Sequence, residues 1–176
     1  PSFFLRIGGC DVGCHWCDVK ESWDPNKHPL TEISDILSQI KNSDKTIVIT
    51  GGEPLMWDMN PLTTSLKGLG KRVHLETSGA YNYSGTWDWV CLSPKKNKPP
   101  IDQWYSQADE LKVIIYNQDD LKWAEQHAQR VGIKCKVFLQ PEWSRREKVM
   151  PIIIKFLENR PDWRLSLQSH KYIGLP

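Results

Sequence analysis

Short apolar and β-branched runs, each closed by a turn rich in glycine, proline or serine and several followed by a helical pattern, predict an α/β chain of parallel strands joined by right-handed crossovers. About seven such strands are legible against fewer clear helices, which favours an incomplete, partial TIM-type barrel over the closed eightfold form. Strand after strand is also followed by polar residues of unusual type, the pattern expected where loops at the carboxyl ends of barrel strands build a site.

Taken in order, Phe3 to Ile7 reads as a short buried strand, and Gly8-Gly9 lets the backbone turn tightly out of it. The stretch through Trp23, Pro25 and Pro29 is too rich in proline for a helix. Thr31, Asp35 and the series Ile33, Ile36, Leu37, Ile40 predict an amphipathic helix of about three turns that covers a sheet. Thr46 to Ile49 is a strand running into Thr50-Gly51-Gly52-Glu53-Pro54, and a helix from Pro61 to Leu69 closes at Gly70. Strands follow at Arg72 to Glu76, Asp88 to Leu92 and Glu110 to Ile115. A helix from Gln118 to Val131 stops at Gly132, and Lys134 to Leu139 is the next strand. A helix from Arg145 to Asn159 carries Val149, Ile152, Ile153 and Phe156 on one face, and Trp163 to Leu167 is the last strand. No repeat or linker divides the 176 residues, so one domain is expected over 1–176. The chain opens at Pro1, without methionine, almost directly on a strand, and a natural N-terminal segment is expected to be missing.

Composition excludes several classes. A hydrophobic fraction of 39% with 25% charged residues is ordinary for a soluble globular protein, and no apolar run approaches a membrane span. A net charge of +2, with Lys95-Lys96-Asn97-Lys98 as the one short basic cluster, gives no reason to expect a nucleic-acid partner. Five cysteines, an odd number with three clustered and no cleavable leader, point to a reducing cytoplasm.

The clustered three are Cys10, Cys14 and Cys17, spaced C-x3-C-x2-C directly after the first strand. Three thiolates in one loop can converge on a metal centre. An Fe–S cluster usually takes four cysteines, so three leave one iron without a protein ligand, and that iron can chelate the amino and carboxylate groups of a small amino-acid-like molecule. If the sheet is parallel, the cysteine loop shares one mouth with Gly51-Gly52-Glu53-Pro54, Thr77-Ser78-Gly79, Ser93-Pro94-Lys95, Gln140-Pro141 and Gln168-Ser169-His170. Gly51 and Gly52 leave their backbone groups accessible to a ligand's ammonium, with Glu53 as an acceptor; Ser78, Ser93, Lys95 and Gln140 suit a ribose or a carboxylate. A zinc module built on the three cysteines with His15, or a bare electron-transfer cluster, stays open at this point.

The cysteine loop followed by the Gly-Gly-Glu-Pro turn resembles the radical S-adenosylmethionine enzymes. More narrowly, Phe-Leu-Arg-Ile-Gly-Gly-Cys, Cys-His-Trp-Cys-Asp, Glu-Thr-Ser-Gly, Leu-Ser-Pro-Lys and the ending Leu-Gln-Ser-His-Lys-Tyr-Ile-Gly-Leu-Pro are similar to 7-carboxy-7-deazaguanine synthases over essentially the whole chain. The resemblance implies a [4Fe-4S] cluster on Cys10, Cys14 and Cys17, and S-adenosylmethionine held by His15, Trp16, Gly51, Gly52, Glu53, Ser78, Ser93, Lys95 and Gln140. A 5′-deoxyadenosyl radical would then abstract hydrogen from 6-carboxy-5,6,7,8-tetrahydropterin and start a ring contraction that expels ammonia, in the route to queuosine. It further implies Arg6, Gly52, His170 and the terminal carboxylate of Pro176 on the substrate, an electron donor such as a flavodoxin, and a homodimer. That family's N-terminal Gly-Glu-Gly segment is absent, and small radical activases acting on a partner protein share the same cluster loop. One departure stands out: relatives commonly carry Thr or Ser after the Cys-Asp pair as a Mg²⁺ ligand, whereas Val19 follows Asp18 here. Mg²⁺ is therefore expected to be weaker, differently ligated or absent, with Asp18 as the candidate residue for it alongside water and substrate. Cys91 and Cys135 read as core thiols in apolar strands, His74 as structural, and His28 and His127 as exposed.

Overall fold

The computed structural model describes residues 2–174 and consists of one all-parallel sheet whose strands lie side by side in chain order. The strands are β1 (Ser2–Ile7), β2 (Thr46–Gly51), β3 (Val73–Thr77), β4 (Trp89–Leu92), β5 (Glu110–Ile115), β6 (Lys136–Pro141) and β7 (Trp163–Leu165). The helices are α1 (Ile33–Ile40), α2 (Asn60–Gly68), α3 (Gln103–Gln107), α4 (Asp119–Ala128), α5 (Arg146–Leu157) and α6 (Ser169–Tyr172). Sequential order with right-handed crossovers puts the helices on one side and curls the sheet, and the sheet ends at β1 and β7 without closing. This is the α/β partial barrel that the alternation predicts.

The two faces of the sheet differ in chemistry. Ile47, Ile49, Val73, Leu75, Val90, Leu92, Leu111, Val113 and Leu139 pack against Ile40, Leu62, Leu66, Trp104, Leu121, Ala124 and Ile153 from the helices. That is the core. On the opposite, concave face the register aligns Phe4, Val48, His74 and Trp89 in one row and Glu76, Cys91, Glu110 and Lys136 in the next. Arg6 lies beside Thr50, and Lys112 beside Phe138, which in turn lies beside Arg164.

Several sequence expectations are corrected. β1 is an edge strand of alternating exposure rather than a buried one, with Phe4 56% exposed, because nothing pairs beyond it among the described residues. α1 has eight residues, about two turns, and the proline-rich stretch before it forms two short 3-10 turns, Lys20–Trp23 and Pro25–Lys27. α3 and α6, of five and four residues, are additional to the expected helices. His28 is half-buried, and His127 is 5% exposed, its Nδ1 2.6 Å from the Tyr105 hydroxyl. Cys91 and Cys135 are packing thiols as expected, Cys91 buried on the concave side of β4 and Cys135, just before β6, half-buried against the core. No helix is long and apolar enough to cross a membrane among the described residues.

Candidate active site

Every predicted rim motif lies at a carboxyl end of the parallel sheet, and the loop carrying Cys10, Cys14 and Cys17 touches most of them. Its base is fixed by backbone pairing: Gly9 N–H donates to the Ser22 carbonyl at 2.7 Å and Cys10 N–H to that of Trp23 at 3.1 Å. The Trp57 indole donates to the Gly8 carbonyl at 2.9 Å. From the loop after β4, Asn97 donates to the Gly13 carbonyl at 2.7 Å and Lys98 pairs with Asp11 at 2.8 Å. The tip rests on the loop after β5, where the exposed His15 ring meets Tyr116 edge-on at 5.0 Å. From the chain end, Gln168 donates to Asp18 at 2.9 Å and Lys171 pairs with the same carboxylate oxygen.

The two glycines after β2 have a specific steric task. A Cβ on Gly51, whose φ is +132°, would lie 2.3 Å from the Ile7 backbone, and one on Gly52 would lie 2.2 Å from the Gly9 carbonyl oxygen and 3.1 Å from the Cys10 Cβ. With no side chain in the way, Gly52 N–H reaches the Ile7 carbonyl and Glu53 N–H the Gly9 carbonyl, both at 2.8 Å. Gly51-Gly52 thus forms the seat on which the cysteine loop sits.

Glu53 is 2% exposed and its carboxylate accepts four hydrogen bonds. Leu55 N–H (3.2 Å) and Thr77 Oγ1 (2.6 Å) bind one oxygen; Ser78 N–H (2.7 Å) and Ser78 Oγ (2.5 Å) bind the other. Two motifs that the sequence offered separately, Gly-Gly-Glu-Pro and Thr-Ser-Gly, are therefore one hydrogen-bonded unit joining β2 to β3. Ser93 is buried as well, and its hydroxyl and carbonyl accept from Lys95 Nζ at 2.7 and 2.5 Å. Lys95 lies 5.9 Å from the Trp16 ring. Half-buried Gln140 accepts from Ser166 Oγ at 3.3 Å. Arg6 and His170 are exposed, Arg6 near the end of β1 on the concave face and His170 on α6; Pro176 lies outside the described residues.

All three loop cysteines are free and half-buried. Burial pushes the Cys10 thiol up, with Glu53 and Cys17 adding to it, and burial likewise pushes Cys14 up against the pull of the Lys95 charge. Among the described residues no three His, Cys, Asp or Glu side chains gather around a single ion. A cluster asks for something else, since each thiol ligates a different iron, and three free thiols in one supported loop fit that donor chemistry.

The sequence reading missed one feature of the site. Lys112 Nζ pairs with Glu76 Oε1 at 3.1 Å on the concave face, where Cys91 donates to Glu110 at 3.4 Å. Burial works against the Lys112 charge, yet Cys91, Glu76 and Glu110 around it hold the ammonium above its ordinary value. The signal was available in Glu110-Leu111-Lys112-Val113, where charged residues alternate with apolar ones, and in Leu75-Glu76 of the earlier strand.

Comparison with known proteins agrees with this architecture. The model of the radical SAM superfamily matches residues 5–90. A 7-carboxy-7-deazaguanine synthase of Flavobacterium psychrophilum is 55% identical over 99% of this chain and 83% of its own. That of Synechocystis sp. is 46% identical over 99% and 84%. A crystal structure of QueE from Escherichia coli matches with a TM-score of 0.77 at 30% identity, covering 94% of this chain and 84% of that one. With relatives this similar over nearly its whole length, and with its three free thiols on a glycine seat at the open rim, the chain belongs to the 7-carboxy-7-deazaguanine synthase family of radical SAM proteins.

Proposed function

We propose that the chain, as a single domain over 1–176, converts 6-carboxy-5,6,7,8-tetrahydropterin to 7-carboxy-7-deazaguanine with loss of ammonia, a step toward queuosine. The observation that carries this reading is the three-cysteine loop seated on Gly51-Gly52 at the mouth of an open barrel whose concave face is charged. When bound, a [4Fe-4S] cluster and S-adenosylmethionine supply a one-electron cleavage that starts hydrogen abstraction from the substrate.

The remaining work falls to side chains of the chain. Cys10, Cys14 and Cys17 hold iron, and because burial keeps the first two protonated, loading releases their protons. Glu53 holds the turn after β2 and Ser78 in register, so that Gly52, Ser78, Ser93, Lys95 and Gln140 meet S-adenosylmethionine as one preorganised wall, with His15 and Trp16 shielding it from water. Arg6 presents a planar two-donor fork to the substrate carboxylate from the end of β1, while His170 on α6 adds a second contact; Pro176, the other expected contact, lies outside the described residues. The same reading brings in a one-electron donor such as a flavodoxin, a homodimer and a reducing cytoplasm, the last supported by five free cysteines.

The test is an anaerobic assay of the cluster-loaded protein with S-adenosylmethionine, reductant and the carboxytetrahydropterin, followed by mass. Formation of 7-carboxy-7-deazaguanine is expected. Reductive cleavage of S-adenosylmethionine without that product would sink the substrate assignment.

A further inference from the structure

The Mg²⁺ that the resemblance implies does not fit the residues present. Mg²⁺ asks for near-octahedral oxygen ligands. Val19 offers a hydrocarbon surface where a hydroxyl is needed, and Asp18 Oδ2 already accepts from Gln168 and from the Lys171 ammonium. The ammonium is held there from a second side by the Trp143 ring, 5.3 Å away, and Trp143 in turn packs edge-on against Tyr172 at 5.0 Å. The Lys171 side chain is 19% exposed and that of Asp18 49%, so the ammonium is seated against the protein while the carboxylate keeps one side open to water.

Topology gives the contact a second meaning. Asp18 ends the cysteine loop that follows β1, whereas Gln168 and Lys171 follow β7, and β1 and β7 are the two unpaired edges of the sheet. The Asp18 contacts therefore bridge the rim across the gap that no strand closes. His170 sits beside Lys171 on α6 and is positioned by the same contacts.

From these observations we infer that a resident ammonium replaces a divalent cation here: with Val19 where relatives carry the hydroxyl ligand, Lys171 neutralises the neighbouring Asp18 carboxylate, keeps divalent metal out, and latches α6 across the open edge of the barrel. Lys171 is thus a positioning residue, acting on substrate through α6 and His170. The inference rests on the synthase reading above.

The test uses the cluster-loaded protein in its oxidised state with S-adenosylmethionine and the carboxytetrahydropterin bound, and Mn²⁺ as the probe. In an EPR titration, the wild-type protein and Asp18→Asn should leave the same free Mn²⁺ signal. Lys171→Ala should raise KM for the carboxytetrahydropterin about tenfold or more while kcat moves less than about threefold, as expected for loss of a charge-assisted contact outside the reacting atoms. Lys171→Arg should restore most of it. Uptake of one Mn²⁺ per chain by the wild type that Asp18→Asn abolishes, or an unchanged KM in Lys171→Ala, would overturn the inference. The titration needs no turnover, so it decides the cation question even if no 7-carboxy-7-deazaguanine is formed.

Discussion

Replacing Glu53 by glutamine tests whether this residue is chiefly a ligand contact or the hinge pin of the rim. The amide has one acceptor oxygen in place of two. Whichever arm carries the NH2 group then faces a backbone N–H that cannot turn away, that of Leu55 or of Ser78; the Thr77 and Ser78 hydroxyls can rotate. One orphaned buried N–H costs about 1–3 kcal/mol, and the three surviving bonds lose their charge assistance, so a total of about 3–4 kcal/mol is expected. For a chain of this length that is a Tm lowered by about 10 °C. The assay is calorimetry of the reduced, iron-free protein, in which no ligand contributes. A Tm within about 2 °C of wild type would refute the structural role. Loss of S-adenosylmethionine binding at unchanged Tm would make Glu53 a ligand contact instead.

Three further outcomes follow from the geometry. Gly52→Ala puts a Cβ 2.2 Å from the Gly9 carbonyl, so the cysteine loop has to lift from its seat; iron retained per chain after anaerobic reconstitution should fall well below wild type while far-UV circular dichroism stays the same. Lys112→Met leaves Glu76 without its cation; because Glu76 is partly exposed, a loss of about 1–2 kcal/mol in urea denaturation is expected, with most of it recovered in the Glu76→Gln/Lys112→Met pair. Burial, aided by the Arg130 charge, pushes the His127 imidazole down to about 4, below its unfolded value of about 6.5. The folded chain thus refuses a proton that the unfolded chain accepts. Stability from this group is complete above about pH 6.5 and declines as pH falls toward about 4, and the drop in Tm over that window should be smaller in His127→Phe.

What could be read from the sequence divides along a physical line. Strand positions, their parallel order and the gathering of the polar motifs at one rim follow from local periodicity plus the handedness of crossovers, both of which are properties of short windows. α3 and α6, with five and four residues, are too short to show a period. The apolar run Phe3 to Ile7 reads as buried because hydrophobicity says nothing of whether a strand has two neighbours; β1 has one. His127 was misread although its period was visible: Asp120, Leu121, Ala124 and His127 form one buried stripe of α4, and two polar members disguised it. Glu53 was recognised but its partners were not, since Thr77 and Ser78 lie 24 and 25 residues away and nothing local ties them to it.

The charged concave face explains why an open barrel suits this site. In a closed barrel the inward side chains fill the interior in layers dominated by Val, Ile and Leu. Here those positions include His74, Glu76, Trp89, Cys91, Glu110, Lys112 and Lys136 beside the apolar Phe4, Val48 and Phe138. The polar groups among them are tolerated away from water best when partnered, and most are: Glu76 for Lys112, Trp89 Nε1 on Glu110 at 3.3 Å, and Lys136 over the Trp89 ring at 4.9 Å, whereas the buried His74 Nε2 has no hydrogen-bond partner and the ring stacks on Trp89 at 6.2 Å. An eighth strand would bury this face further and raise the cost of every charge on it. Leaving the edge between β1 and β7 open keeps the face accessible to a polar substrate, but then no strand closes the rim there. That closure falls to Asp18 with Gln168 and Lys171, which makes the loop that carries the cysteines also the fastening of the barrel mouth.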